Sequence, residues 1–272
     1  MKKSLSEILK DNFFIIAGPC VIEDEKIVYE TAEKLKSISQ KLDIPFIFKS
    51  SFDKANRSSL DSFRGPGLEK GLKILKKVKE KYNVPILTDV HETYQIKPTS
   101  EIADIIQIPA FLCRQTDLLV EAAKSGKIVN VKKGQFLSFF EIENVIGKIR
   151  PFTNLPILIT ERGYMFGYNN LVVDFRSLEV MKKYDCLVIY DATHSTMLPA
   201  GKGKESGGDY KMAKVLARAA VAVGINGLFF ETHPIPLSAK SDRYSMIPLN
   251  EVEEWLKILI EYNSITKKYR FI

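Results

Sequence analysis

The chain has 272 residues, 45% hydrophobic and 27% charged, the proportions of an ordinary globular protein with apolar material for a large core. Its 40 basic and 33 acidic residues leave a net charge of +7, spread along the chain with no basic stripe interleaved by aromatics, which argues against a nucleic-acid binder. No uncharged apolar run reaches the ~18 residues of a membrane span, so no membrane association is expected.

The N-terminus, MKKSLSEILKDNFFIIAGPC, has the two lysines and short apolar run of a lipoprotein signal. Glu7, Lys10 and Asp11 break its apolar core and Pro19 stands where a small residue is wanted, so the signal is rejected and a cytoplasmic protein is expected. Cys20, Cys113 and Cys186 are too few and too scattered for a disulfide framework and suit free thiols or a metal thiolate. Short apolar runs then alternate eight times with longer amphipathic segments, at 13–18, 44–49, 84–90, 104–109, 127–132, 156–161, 186–191 and 227–231. They are rich in Ile, Val and Phe without polar alternation, as strands buried on both faces are. Helical patterns lie between them: Val28, Ala32, Leu35, Ile38 and Leu42, then 68–82, 117–125, 139–149, 210–223 and 251–262, the last with Asn250 and Glu253 as a capping pair. Pro98 and an irregular start at Asn169 obscure the helices after the third and sixth runs. Eight units averaging about 34 residues predict a single (β/α)8 TIM barrel domain over 1–272, with 1–11 a short extension capping its bottom. An open doubly wound sheet is the alternative fold, but Ala17-Gly18-Pro19-Cys20 lacks the glycines of a dinucleotide fingerprint.

Such a barrel carries its site where the strands end. Chemical side chains collect there: Cys20, Lys49, Asp89, His91, Gln107, Lys132, Glu161, Arg162, Asp191, His194, Glu231 and His233, which include every histidine of the chain. Singly, a buried cysteine or strand-end histidine is more often structural; together they point to a site. Barrel closure makes the seventh, eighth and first strands neighbours, so Cys20, His194 and Glu231 converge, with Asp242 in the following loop. A thiolate, an imidazole and two carboxylates suit a divalent first-row metal ion such as Zn²⁺, Fe²⁺ or Mn²⁺. Opposite them, FKSSFDKANRSSLDSFRGPG (48–67) packs Lys49, Lys54, Arg57 and Arg64 among serines and Asn56. Alone this stretch reads as a solvated basic loop. With Lys132 and Arg162 it makes a cationic bowl for a phosphate- and carboxylate-bearing anion, since burying several cations without a ligand is costly.

The motifs 48–67, TDVHE (88–92), IQIPAFLCRQTDL (106–118), NVKK (130–133), ERG (161–163), FGYNNLVVD (166–174), DATH (191–194) and ETHP (231–234) together resemble the 3-deoxy-D-manno-octulosonate 8-phosphate (KDO 8-phosphate) synthases, from about Ile15 to the C-terminal helix. The resemblance implies a homotetrameric transferase that condenses phosphoenolpyruvate with D-arabinose 5-phosphate and releases phosphate, on the route to the lipopolysaccharide inner core. A cysteine at position 20 is similar to the metal-dependent class; the metal-independent class has asparagine there. By position, the resemblance implies Cys20, His194, Glu231 and Asp242 as metal ligands and Lys49, Ser51, Lys54, Lys132 and Arg162 as the phosphoenolpyruvate grip. It implies Asn56, Arg57 and Ser58 on the arabinose phosphate, and Arg114 reaching the sugar phosphate of a neighbouring subunit. The resemblance likewise implies Cys20, His194, Lys132 and Asp242 as the catalytic set. Two places depart from the family pattern, Asp209-Tyr210 after Gly207-Gly208 and Arg243 after Asp242, both in loops beside the site. The nearest rival is a 3-deoxy-D-arabino-heptulosonate 7-phosphate synthase using erythrose 4-phosphate. Its substrate loop reads KPRTS where this chain has Lys54-Ala55-Asn56-Arg57-Ser58, which favours the five-carbon sugar. A non-catalytic sugar-phosphate sensor is the rival of another class, and the intact ligand set argues against it.

Overall fold

The computed structural model describes residues 3–57, 59–199 and 207–269; Ser58, expected on the sugar phosphate, lies outside them. Eight parallel strands form in the eight expected places: β1 (Phe14–Gly18), β2 (Phe46–Lys49), β3 (Ile86–Asp89), β4 (Ile105–Ile108), β5 (Ile128–Lys132), β6 (Ile157–Glu161), β7 (Leu187–Asp191) and β8 (Gly227–His233). Each pairs with the next in chain order, and β8 returns to β1 with Phe14 opposite Gly227 and Gly18 opposite Glu231. The eight strands therefore close into a (β/α)8 barrel. β1 and β2 approach so closely at the rim that a Cβ on Gly18 would sit 2.0 Å from the Lys49 carbonyl oxygen, which is why glycine stands there.

The surrounding helices are α1 (Leu5–Asp11), α2 (Glu25–Lys41), α3 (Leu68–Tyr82), α4 (Ile96–Ser100), α5 (Thr116–Lys124), α6 (Ile142–Ile149), α7 (Arg176–Met181), α8 (Tyr210–Val223) and α9 (Val252–Lys268). The two obscure helical patterns correspond to the short α4 and α7; Pro98 is tolerated because it falls in the first turn of α4, where backbone N–H groups lack helical partners anyway. The expected cap of the last helix is not formed. A 3₁₀ turn, Leu249–Glu251, leads into α9, no side chain caps it, and Glu253 is drawn away to Lys41 and Lys257. Asp209, one of the two departures from the family pattern, serves the fold, since its carboxylate caps α8 by accepting from the N–H groups of Lys211 and Met212.

Side-chain parity along the strands divides the barrel into two environments. Inward positions near the strand starts are apolar: Phe14, Ile16, Ile47, Leu87, Ile105, Ile128, Leu158, Ile189 and Phe229 form one cluster, joined by the fully buried Leu9 of α1. Outward positions such as Ile15, Phe48, Ile106, Val131 and Ile159 pack into the helix layer. Continuing the inward series toward the strand ends gives Lys49, Asp89, Gln107, Asn130, Lys132, Thr160, Asp191 and Glu231.

Parity corrects one sequence assignment. Glu161 follows Ile157 and Ile159 and so faces the helix layer rather than the mouth. Its carboxylate accepts from Gly163 N–H at 2.6 Å and Ser177 Oγ at 3.2 Å, and lies 3.5 Å from Nζ of the equally buried Lys133. Lys133 also donates to the carbonyls of Gly134 and Leu137. Removing one partner of such a pair strands the other charge at a cost of about 3–5 kcal/mol. Glu161→Ala is therefore expected to lower unfolding stability by about that amount in a urea titration; an unchanged midpoint would return Glu161 to the mouth.

Candidate active site

Cys20 lies two residues beyond β1, buried, with Sγ 3.0 Å from both Asp242 Oδ2 and Ser241 Oγ. Glu231 reaches the same place from β8, and the donor atoms of Cys20, Glu231 and Asp242 all lie within 4.8 Å of one another. Asp242 takes a left-handed backbone conformation (φ 48°), one that aspartate tolerates better than most residues. His194 opens a 3₁₀ turn after β7, with Nε2 3.6 Å from Glu231 Oε1 and 3.9 Å from Asp242 Oδ2. On its other side, Nδ1 lies 2.8 Å from Asp191 Oδ2, a close contact without full hydrogen-bond alignment. A carboxylate behind an imidazole in this way fixes the ring that a metal would use.

The donor set fits a divalent cation on two grounds. Glu231 Oε2 is buried and has no hydrogen-bond partner, an acceptor that a cation would satisfy. Burial, then the charges of Asp242 and Glu231, hold the Cys20 thiol well above its ordinary range. Burial also opposes the charge on Glu231 and Asp242, but His194 and the nearby lysines outweigh it and keep both carboxyls below their usual values. Two carboxylates, a thiol and an imidazole within a few ångströms are the ligand types of a first-row metal site.

The expected cations adjoin this cluster, Lys49 and Lys54 touching Glu231 instead of facing it across the mouth. Lys49 Nζ donates to the Cys20 carbonyl at 3.0 Å and to Ser51 Oγ at 3.1 Å, and lies 3.3 Å from Glu231 Oε1. Lys54 Nζ is 3.9 Å from the same oxygen. Burial works against the Lys54 charge, yet Cys20, Glu231, Asp89 and Asp242 together raise its pKa above the ordinary lysine value. Lys132 bonds to Asp191 and sits 3.2 Å from the centroid of the Phe229 ring. Burial pulls its pKa down to about 8, against the opposing pull of Asp191. Arg162, next along from Glu161 and of opposite parity, is 8% exposed, and its Nη1 has no partner. Lys49, Lys54, Lys132, Arg162, Asn56 and His194 line one cavity.

A model of the DAHP synthetase I family matches residues 7–268. The chain belongs to the DAHP synthetase I family. It is 52% identical over 258 residues to the 2-dehydro-3-deoxyphosphooctonate aldolase of Fusobacterium nucleatum, covering 95% of this chain and 93% of the relative. The protein of the same name from Francisella tularensis subsp. holarctica is 52% identical over 255 residues, 94% of this chain and 93% of the relative. That of Cupriavidus necator is 53% identical over 266 residues, 96% and 92% respectively.

Within this DAHP synthetase I barrel, Cys20, Glu231 and Asp242 meet with His194 beside them, and Lys49, Lys54, Lys132 and Arg162 line the adjoining cavity, which His194 alone of the four expected metal ligands also lines. Ser51 does not line the cavity itself; its hydroxyl donates to Asp89 and accepts from Lys49, two residues that do. Arg57 is half-buried beside the mouth, its Nε donating to the Phe63 carbonyl at 3.0 Å. Arg114 is exposed, 4.0 Å from Glu141, and does not line its own chain's cavity. Of the histidines, His91 and His194 line the cavity, whereas His233 does not; its Nδ1 accepts from the Ile235 N–H. The sequence reading missed Gln135, a buried cavity-lining amide whose Oε1 lacks a partner; it lies in a loop past β5, where strand parity gives no signal.

Proposed function

We propose that the chain condenses phosphoenolpyruvate with D-arabinose 5-phosphate and water, giving 3-deoxy-D-manno-octulosonate 8-phosphate and inorganic phosphate. The observation that carries this reading is the gathering of Lys49, Lys54, Lys132 and the buried Arg162, whose Nη1 lacks a partner, around one cavity that His194 of the ligand cluster also lines. A buried donor left without an acceptor is costly, and an incoming anion supplies the acceptor. The relatives above are named for the octonate phosphate, and Asn56, where the rival loop differs, lines the cavity.

In the reaction, C3 of the enol attacks the open-chain aldehyde carbon, water adds at C2, and the hemiketal phosphate collapses by C–O cleavage to release phosphate. Lys49, Lys54, Lys132 and Arg162, which line one cavity, together hold the anionic end of phosphoenolpyruvate. They offset the repulsion between two anions and fix the reacting carbons, a positioning effect with a ceiling of about 7–11 kcal/mol. Asn56 and Arg57 stand where the loop after β2 would meet the sugar phosphate. Cys20, His194, Glu231 and Asp242 would hold a divalent ion, Zn²⁺, Fe²⁺ or Mn²⁺, which supplies Lewis-acid polarisation or orientation of the aldehyde. A homotetramer, with Arg114 serving a neighbouring subunit, a cytoplasmic location and a place in lipopolysaccharide inner-core synthesis go with this reading. Among the described residues no helix is long and apolar enough to cross a membrane.

The deciding measurement is phosphate release from phosphoenolpyruvate with arabinose 5-phosphate or with erythrose 4-phosphate. Release with the arabinose ester alone is the expected result. Release with the erythrose ester would overturn the role given to Asn56, and binding without release would favour the sensor.

A further inference from the structure

Beneath Lys132 and Arg162, three inward-facing polar side chains on adjacent strands form a ladder. Thr160 Oγ1 of β6 donates to Asn130 Oδ1 of β5 at 2.7 Å, and Asn130 Nδ2 donates to Gln107 Oε1 of β4 at 2.9 Å. Strand register places Gln107 directly opposite Asn130. Asn130 and Thr160 are fully buried, Gln107 is 5% exposed, and of the three only Gln107 lines the cavity.

The ladder has a direction. Thr160 has one hydroxyl proton, and giving it to the Asn130 carbonyl leaves the Asn130 NH₂ as the group that faces Gln107. Gln107 then answers with its carbonyl, so its own NH₂ donors remain for the cavity. Reversal of the ladder would present the Gln107 carbonyl to the cavity instead. An oxygen there would repel the anion that Lys49, Lys132 and Arg162 attract, whereas N–H donors add to their pull.

We infer that Asn130 and Thr160 are positioning residues that hold the Gln107 amide with its N–H donors toward an anionic oxygen of the bound substrate. The inference rests on the anion-binding reading of this cavity but not on which sugar phosphate reacts. Carboxylate and phosphate oxygens offer the same chemistry to an amide donor, so separate anions are needed to tell them apart. The competing view is a self-satisfied polar layer whose loss affects only folding.

The test is calorimetric titration of the full chain with phosphoenolpyruvate, pyruvate and inorganic phosphate. Asn130→Leu keeps the side chain's approximate shape and removes the donor; phosphoenolpyruvate affinity is expected to fall about 10- to 100-fold, the size of one charge-assisted hydrogen bond. Loss shared with inorganic phosphate places the amide at the phosphate end, and loss shared with pyruvate places it at the carboxylate end. Gln107→Leu is expected to show the same loss, and the double variant no more than either single one, because Asn130 acts through Gln107. Thr160→Ser is expected to retain affinity and Thr160→Val to lose part of it; if Asn130→Leu does not fold, this pair decides alone. Additive losses in the double variant overturn the ladder, as does wild-type affinity in both Asn130→Leu and Thr160→Val. A parent chain that binds none of the three anions overturns the ladder and the cavity reading together. A parent chain that binds them without condensing them with a sugar phosphate sinks the proposed reaction only, and the variant comparison still decides the ladder.

Discussion

Lys132→Ala is expected to lower kcat/KM for phosphoenolpyruvate by about 10³-fold. Two losses combine. The ammonium group is a charge-assisted donor to the anion, of about 1.5–3 kcal/mol. Its removal also deprives the buried Asp191 carboxylate of its ammonium partner, leaving it the His194 ring contact and the donations from Thr193 Oγ1 and the His194 N–H. Burial opposes the charge on that carboxyl, but His194 and Lys132 outweigh it and hold it well below its ordinary range. Without Lys132, Asp191 has less reason to stay charged and in place behind His194, so damage spreads from the anion grip to the ligand cluster. The pH dependence has two opposite signs. Lys132 titrates at about 8 in the free folded chain, below its ordinary 10.5. Between those values the unfolded chain keeps a proton that the native chain has lost, so this group's contribution to unfolding stability rises with pH across that window. Anion affinity needs the charged amine and falls across the same window. Phosphate-release kinetics and thermal unfolding from pH 7 to about 10, with and without phosphoenolpyruvate, would show both trends. Normal turnover in Lys132→Ala, or affinity that does not change above pH 8, would remove Lys132 from the anion grip.

The barrel was legible because its strands are short, apolar and uninterrupted, and because β1 to β8 alternate with helices long enough to show a period. Where that period was lost, at α4 and α7, the helices have only five and six residues, too short to display an amphipathic face. The cluster of Cys20, His194, Glu231 and Asp242 was reachable only through closure, since Cys20 and Asp242 are separated by 222 positions and no local spacing connects them. Proximity to a strand end was too coarse a criterion for Glu161. Counting inward from Leu158 through Thr160 selects Arg162 for the mouth and sends Glu161 to Lys133, information already present in the alternation of the strand. His233 shares inward parity with Glu231 yet is taken out of the cavity by the Ile235 N–H, a backbone contact that no residue pattern announces. Ser51 is likewise tied to Asp89, 38 positions away, a pairing that strand-end position does not announce.

Chelation is expected to lower phosphate release by about 10³-fold or more, with Zn²⁺, Fe²⁺ or Mn²⁺ restoring it. The expectation follows from what the four side chains lack on their own. Glu231 Oε2 has no partner, and burial, then the charges of Asp242 and Glu231, push the Cys20 thiol well above its ordinary range, so the cluster is neither self-satisfied nor apolar. An ion bound only by the folded chain also stabilises it, by about 4 kcal/mol at a free concentration 1,000 times its dissociation constant. Melting temperature and bound metal should therefore rise together on metal return in the parent chain, and neither should rise in Cys20→Ala. Cys20→Asn separates structure from chemistry, because asparagine keeps a polar side chain toward Ser241 and Asp242 but gives up the thiolate. If that variant kept full turnover after chelation, the anion grip of Lys49, Lys54, Lys132 and Arg162 would suffice for the reaction, and the ion would be reduced to holding β8 and its following loop against β1. If it lost turnover while its folding and phosphoenolpyruvate affinity were retained, the ion would be needed on the aldehyde side of the cavity, because the anion grip would still be working.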